Sequence, residues 1–388
     1  MKYNKYSLLT MFGHICTDIN QGALPAILPF LVLEKGISYA SAAGLIFASS
    51  SVSSLVQPLF GYLGDKVSWP WLMGLGALLA GGGLACVGFL DQYWTIFLAV
   101  MVSGVGVALF HPEGGKIANL VAGEKKGMGI GIFAVGGNIG FALGPIIISL
   151  AIAAWGLKGT AVLLIPAVTM MLVMLVSLKP LRRVIAEART ARSRTADASS
   201  RDDWRAFSLV AAGVTCRSII SYGMTTFIPL YFAAVLMLGE VSASARLTLF
   251  SVVAATATLV GGHLADRIGF NRVIRGGFII LAPLLFLFPA VGNVHLATLL
   301  LLPIAFTLNG PHGSMIALGQ KYVPNHIGTS SGIMLGLTVS IGGMVAPGIG
   351  WIGDHFGLTV AMYTVAAFSA PMLLLAYRIS SPSKAPQA

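Results

Sequence analysis

The stretch Gly61-Tyr62-Leu63-Gly64-Asp65-Lys66 returns later in the chain as Gly262-His263-Leu264-Ala265-Asp266-Arg267. Each copy closes an apolar run. In each, a glycine stands four residues before an aspartate and a cation follows directly. The two aspartates are 201 positions apart, and a similar offset relates Gly140 to Gly342, Pro145 to Pro347 and His111 to His312. A repeat of that length in a chain of 388 residues implies two homologous halves, each far larger than a solenoid unit.

The composition says where such halves reside. Hydrophobic residues make up 56% of the chain and charged residues 10%, against about a quarter in soluble domains. So few charges cannot cover a water-facing surface. The 47 glycines suit helices that pack closely in lipid. Cys16, Cys86 and Cys216 are scattered through apolar runs, which suggests neither a disulfide framework nor a metal knuckle. The first apolar run is long and leads into further ones, so it reads as a first span and not as a cleavable leader. Twelve spans are expected, each near the ~20 residues that cross ~30 Å of hydrocarbon. They lie near 6–33, 40–63, 70–90, 94–119, 127–155, 160–178, 206–236, 244–265, 272–291, 296–321, 328–352 and 358–377. The expected fold is an all-α integral membrane protein of two six-helix pseudo-symmetric bundles. Residues 1–178 form the first bundle, 179–205 a basic linker, and 206–388 the second bundle with a short tail. Two related bundles in a membrane are the build of secondary transporters.

Lysine and arginine orient the spans. With the first residues inside, twenty of the 24 cations fall on inner segments and three outside, at Lys35, Lys158 and Arg246, while Arg217 lies within a span. Both termini are then cytoplasmic. The linker alone carries eight cations among Ser, Thr and Ala. The net charge of +11 is thereby assigned to an inner face that meets anionic lipid headgroups, and nucleic acid is excluded as a partner.

The repeated hexapeptides suggest a gate. Asp65 and Asp266 at inner helix ends, with Gly61, Lys66, Gly262 and Arg267, suit contacts to a helix N-terminus and to cations that form in one conformation and break in another. In span five, Gly136, Gly140 and Gly144 share one face and Pro145 follows. That face admits a close helix neighbour, and a seam that seals and opens is expected there.

Taken together, the two hexapeptides and the Gly-rich fifth span ending in Gly144-Pro145 resemble the major facilitator superfamily, over nearly the whole chain. In that family the fifth-span pattern accompanies antiporters. One branch is closer still. His14 with Asp18, LVQPLFGYLGDK at 55–66, Trp69-Pro70-Trp71, FHPEGGKIA at 110–118, VGGNIGFALGP at 135–145 and the cation at 217 resemble the fosmidomycin-resistance type of drug exporter. Ser68-Trp69-Pro70 departs from that pattern, where a basic pair is usual, and so does Arg217, where a lysine is usual. The resemblance implies alternating access, a monomer, a bacterial inner membrane and a phosphonate-like antibiotic as cargo.

Charges within spans are costly and mark function. Counted at ~1.5 Å per residue, Asp18 and Arg217 lie ~16–18 Å in, near the midplane. His14 is one turn from Asp18 on the same face. Asp18 is expected to carry the coupling proton, His14 to share it, and Arg217 to tune the carboxylate or hold an anionic substrate. The same count sets His111, Pro112 and Glu113 near the inner end of span four, about 10 Å from the His14–Asp18 level. There they form either an inner proton station or, through Lys116 at i+3, a local ion pair. Pro112 is expected to kink its helix. Asn20, Gln21, Asn138, Tyr222, Phe227, Tyr231 and Asn309 are candidates to line a mixed polar and aromatic cavity. No zinc-protease spacing, Walker loop or serine elbow occurs in a fitting context, so no enzyme is expected. No metal and no cofactor are expected either, with the proton gradient as the energy source. The expected activity is proton-coupled export of a small polar or anionic compound. A proton-coupled importer of a small organic anion is the alternative, and a metal-cation transporter a remoter one.

Overall fold

Long runs that are apolar all round have two stable homes, a buried core or lipid, and both require every backbone group to bond within its own segment. Helix is the result throughout. A computed structural model describes residues 5–66, 69–121, 126–192, 202–323, 330, 333–334 and 338–378; within these, the side chains of 54–66, 119–120, 126–131, 187–192, 266, 339–340 and 376 are not described. The first helices are α1 (Lys5–Lys35), α2 (Tyr39–Lys66), α3 (Trp71–Cys86), α4 (Tyr93–Val121), α5 (Lys126–Trp155) and α6 (Leu164–Arg192). After them come α7 (Trp204–Ala234), α8 (Glu240–Ile268), α9 (Phe270–Leu287), α10 (Val294–Asn309) and α11 (His312–Tyr322). The last three are α12 (Thr338–Phe356), α13 (Leu358–Ala367) and α14 (Ser369–Arg378). Helix covers at least part of each of the twelve expected spans. Among the described residues nine segments are long and apolar enough to cross a membrane, one of them the 55-residue run Ile132–Ala186.

Three edges differ from expectation. Helix α6 runs on to Arg192, so the expected linker begins as helix; Ala, Glu and Arg in IAEARTAR (185–192) are strong helix formers. The tenth span is two helices, because Pro311 lacks the N–H that would continue α10 and its ring crowds the preceding turn. The last span divides between Ala367 and Ser369. By contrast, α4 and α5 continue as helix through Pro112 and Pro145.

The chain divides into two compact units. One comprises Met1–Ile37 and Gly44–Ala196, the other Ser38–Ala43 and Asp197–Ala388. In the first, α1 lies along α5, and α3 packs on α4 and α6. Glycine makes the α1–α5 approach possible: a Cβ at Gly140 would stand 2.5 Å from the Ile15 carbonyl oxygen, and one at Gly144 would collide with that of Ile19. In the second, α7 packs on α12, and α8 on α10. There Asp354 accepts from the N–H groups of Tyr39 (2.7 Å) and Ala40 (2.9 Å).

Outward faces carry Leu150, Leu172, Val176 and Leu299, all exposed and apolar, as lipid contact demands. Trp71, Trp94, Trp155, Trp204 and Trp351 are exposed near helix ends, at headgroup depth for a spanning helix.

Candidate functional site

Helix α1 sets His14 and Asp18 on one face by their i, i+4 spacing, and Gln21 one turn further on. Helix α4 brings His111 to them. His14 Nε2 lies 3.1 Å from Asp18 Oδ2, and His111 Nε2 lies 3.2 Å from Asp18 Oδ1. The two Nε2 atoms are 3.1 Å apart, and Gln21 Nε2 donates to Asp18 Oδ1 at 2.8 Å. His14 and Asp18 are more than nine-tenths buried. The Phe133 ring stacks on His14 at 4.0 Å between centroids, and Phe110 lies 5.9 Å from His14 and 6.1 Å from Phe133.

The other ring nitrogens decide the tautomers. His14 Nδ1 is 2.7 Å from the Phe133 carbonyl oxygen, and His111 Nδ1 is 2.9 Å from that of Val107. A carbonyl only accepts, so both Nδ1 atoms carry hydrogen. In neutral rings both Nε2 atoms then present lone pairs, toward each other and toward a carboxylate. Three acceptors so close together repel unless a cation stands between them. A proton shared by the triad supplies it and turns one imidazole into a donor toward Asp18. The donor atoms all lie within 4.8 Å, so the space would also suit a transition-metal ion.

The expected 10 Å difference in depth for His111 is therefore wrong. Helix α4 extends to Val121 and α1 begins at Lys5. His111 is then ~15 Å from its helix end and His14 ~14 Å from its own, which puts them level. Glu113 takes the local alternative: it pairs with Lys116 at 2.6 Å, one turn along α4.

Arg217, on α7, is 6% exposed. Its Nε donates to the Leu308 carbonyl oxygen (3.1 Å) and an Nη2 hydrogen to Asn309 Oδ1 (2.8 Å), both within the second unit. Asp18 has its partners within the first.

The remaining candidates are dispersed. Asn20 is buried and donates to the Cys16 and Thr17 carbonyls, while its Oδ1 has no partner among the described residues. Asn138 is half-buried beside Gly137. Tyr222 lies where a Cβ on Gly342 would reach its ring. Phe227 is fully buried, and Tyr231 donates to the Pro289 carbonyl at 3.3 Å. Of the expected gate, the surroundings of Gly61 and the side chains of Asp65, Lys66 and Asp266 are not described. Gly262 has open space beside it and Arg267 is exposed. Gly140 and Gly144 face α1 and buried Pro145 follows, a seam inside the first unit.

Sequence reading missed the two carbonyls that fix the histidine tautomers, and no side-chain pattern announces them. It also missed Asp354, for which a signal existed. Gly350, Asp354 and Gly357 repeat the spacing of Gly262, Asp266 and Gly269, and both final glycines have positive φ, 89° and 92°.

Comparison with known proteins fits this architecture. The family model of the Major Facilitator Superfamily matches residues 10–347. The chain is 30% identical to the uncharacterized MFS-type transporter YfnC of Bacillus subtilis (strain 168), over 98% of this chain and 94% of that one. It is 29% identical to the fosmidomycin resistance protein of Escherichia coli (strain K12), over 92% and 88%. Among solved structures, a bacterial homolog of the human lysosomal transporter Spinster, inward-facing and occupied, superposes with a TM-score of 0.79 at 14% identity, covering 98% of this chain and all of that one.

Proposed function

Because the chain belongs to the Major Facilitator Superfamily, a family of secondary transporters and not of enzymes, we propose that this multi-pass membrane protein is a proton-coupled antiporter. It exports a small polar or anionic compound by alternating access, from the cytoplasmic side of a bacterial inner membrane, as a monomer with both termini inside. The observation that carries this reading is the buried triad His14–Asp18–His111. Three acceptors held this closely are relieved by a bound proton, and a proton held in one state and given up in another is a coupling device. Gln21, bonded to the same carboxylate, reports its charge to whatever lies beside α1. The likeness to the fosmidomycin resistance protein supports a drug-like cargo, with a phosphonate as the first compound to try. The motifs ending at Asp65 and Asp266 remain proposed inner gates. Gly140, Gly144 and Pro145 are proposed to hold α1 on α5 while the gates work.

Two other readings have support. Import of an organic anion with a proton uses the same residues, since direction follows stoichiometry and gradients. Transport of a transition-metal cation draws on the same donor set.

The test uses the full chain in liposomes with an internal pH dye and an imposed proton gradient. Phosphonates, organic acids and cationic dyes are added in turn, then zinc. Proton movement opposite to a phosphonate, abolished in Asp18→Asn, is the expected result. Movement in the same direction makes it an importer, and zinc-driven flux a metal transporter. Unchanged flux in Asp18→Asn removes the triad as the coupling site.

A further inference from the structure

The second unit buries a positive charge and, among the described residues, pairs it with no acid. Arg217 is thirteen residues into α7, ~20 Å from its start at 1.5 Å per residue. The unit's described acids Asp202, Asp203, Glu240, Asp266 and Asp354 each stand within three residues of a helix end. No ion pair among the described residues includes Arg217. A guanidinium has five N–H donors. Two go to Leu308 and Asn309, and the other three have no hydrogen-bond partner among the described residues. Asn309 serves to aim the group: its Nδ2 donates to the Ala305 carbonyl at 2.9 Å, which turns Oδ1 toward Arg217.

A helix start lies beside that cation. Leu308 and Asn309 end α10, Gly310 and Pro311 interrupt the helix, and α11 opens at His312 with no side chain capping it. The N–H groups of a helix's first turn have no partner within the helix and favour an anion. The same turn holds two further polar atoms without partners among the described residues, His312 Nδ1 and Ser314 Oγ, both buried. Ser314 is 1% exposed, and His312 stands in the field of Arg217. The junction is closely packed on its neighbours. A Cβ at Gly261 of α8 would collide with the Gly310 carbonyl oxygen, and one at Gly277 of α9 would stand 2.6 Å from Pro311 Cγ.

We propose that Arg217, His312, Ser314 and the first-turn N–H groups of α11 form an oxyanion site that receives the acidic group of the transported compound. Asn309 is its positioning residue. The guanidinium edge and the main-chain N–H groups donate there, the Ser314 hydroxyl can turn its hydrogen to an anion, and the His312 imidazole donates in the tautomer with hydrogen on Nδ1. No described carboxylate competes. Broken helices whose N-terminal ends meet anionic substrate groups are a recurring device in transporters. The inference builds on the reading of this chain as a carrier of polar or anionic compounds and narrows that class to phosphonates, phosphates and carboxylates. A phosphonate or phosphate, with three oxygens, engages the guanidinium and the α11 turn together; a carboxylate satisfies the guanidinium edge alone.

The test is equilibrium calorimetry on the full-length protein in detergent, with no gradient imposed. The probes are methylphosphonate, inorganic phosphate, acetate and the uncharged dimethyl methylphosphonate. Methylphosphonate is expected to bind and its diester not to. Arg217→Gln should weaken binding by about tenfold or more, and Ser314→Ala by roughly threefold to tenfold, as loss of charge-assisted and neutral bonds predicts. Where Arg217→Gln does not elute as a single folded species, Arg217→Lys and Ser314→Ala carry the comparison. Acetate binding as tightly as methylphosphonate narrows the site to the guanidinium edge. Equal binding of acid and diester, affinities unchanged in all three variants, or no binding by any anion overturns the proposal. Because binding is read without a proton gradient, failure of antiport in liposomes leaves this result standing, and failure here leaves proton coupling to be judged separately.

Discussion

A methyl group added at Gly137 would stand 2.6 Å from His14 Nε2 and 2.8 Å from Asp18 Oδ2, closer than such contacts allow. Gly137→Ala is therefore expected to force the triad apart while α5 keeps its helix, since alanine is the best helix former. In the liposome assay the variant should lose most proton flux while its circular dichroism is unchanged. Flux at the wild-type level would show that the triad tolerates displacement. Gly144→Ala acts on packing instead, since its Cβ meets the Ile19 carbonyl of α1. Overpacking of that kind costs about 1–3 kcal/mol and should lower the melting midpoint. At the rim, the Lys35 ammonium, bonded to Asp91 and charged beside it, holds that carboxyl below its usual value. A lowered carboxyl contributes above its unfolded value and loses that contribution as the pH falls through the lowered one. Asp91 is fully exposed, so Asp91→Asn should leave the melting midpoint at pH 7 unmoved. The His14–Asp18 pair is legible in the sequence because i, i+4 on one helix is local. The arrival of His111 is not, because it depends on which helix lies alongside and at what height.

Among the elements, the junction between α10 and α11 packs against two glycines, Gly261 and Gly277, that the sequence does not advertise. Gly261→Ala on α8 would push against the Gly310 carbonyl and tilt the start of α11. Methylphosphonate affinity is expected to fall severalfold in that variant although residue 261 lies outside the proposed site; an unchanged affinity would mean that the start of α11 is held by something else. Pro311 itself was visible, yet the span around it reads as one continuous apolar run. Proline removes one donor, and whether the helix then bends or carries on depends on its neighbours: α4 and α5 continue through Pro112 and Pro145, while α10 stops. Another element-level feature is the turn between α8 and α9, where Gly269 has φ 92° and ψ 148°, a conformation almost closed to other residues. Gly269→Ala should cost about 1–3 kcal/mol, read as a lower melting midpoint with unaltered methylphosphonate affinity.

For the molecule as a whole, the orientation rests on charge. Single cysteines at Lys35 and at Arg183, placed in a chain whose own three cysteines are replaced, should separate cleanly. A membrane-impermeant thiol reagent applied to intact cells is expected to label the first and spare the second until the cells are opened. The reverse pattern would invert the topology. The all-helical membrane class, the two related bundles and the family resemblance were fixed by the sequence alone, because apolar run length, cation placement and repeat spacing are properties of the chain that no packing can alter. The meeting of His14, Asp18 and His111, and that of Arg217 with the uncapped start of α11, were decided only by tertiary structure. Both require helices distant in sequence to lie side by side at matched heights. An error of three residues in a span edge moves a side chain ~4–5 Å along its axis, more than the length of a hydrogen bond. Composition and periodicity locate a span within the membrane, but only packing aligns two spans closely enough for their polar groups to share a proton or hold an anion.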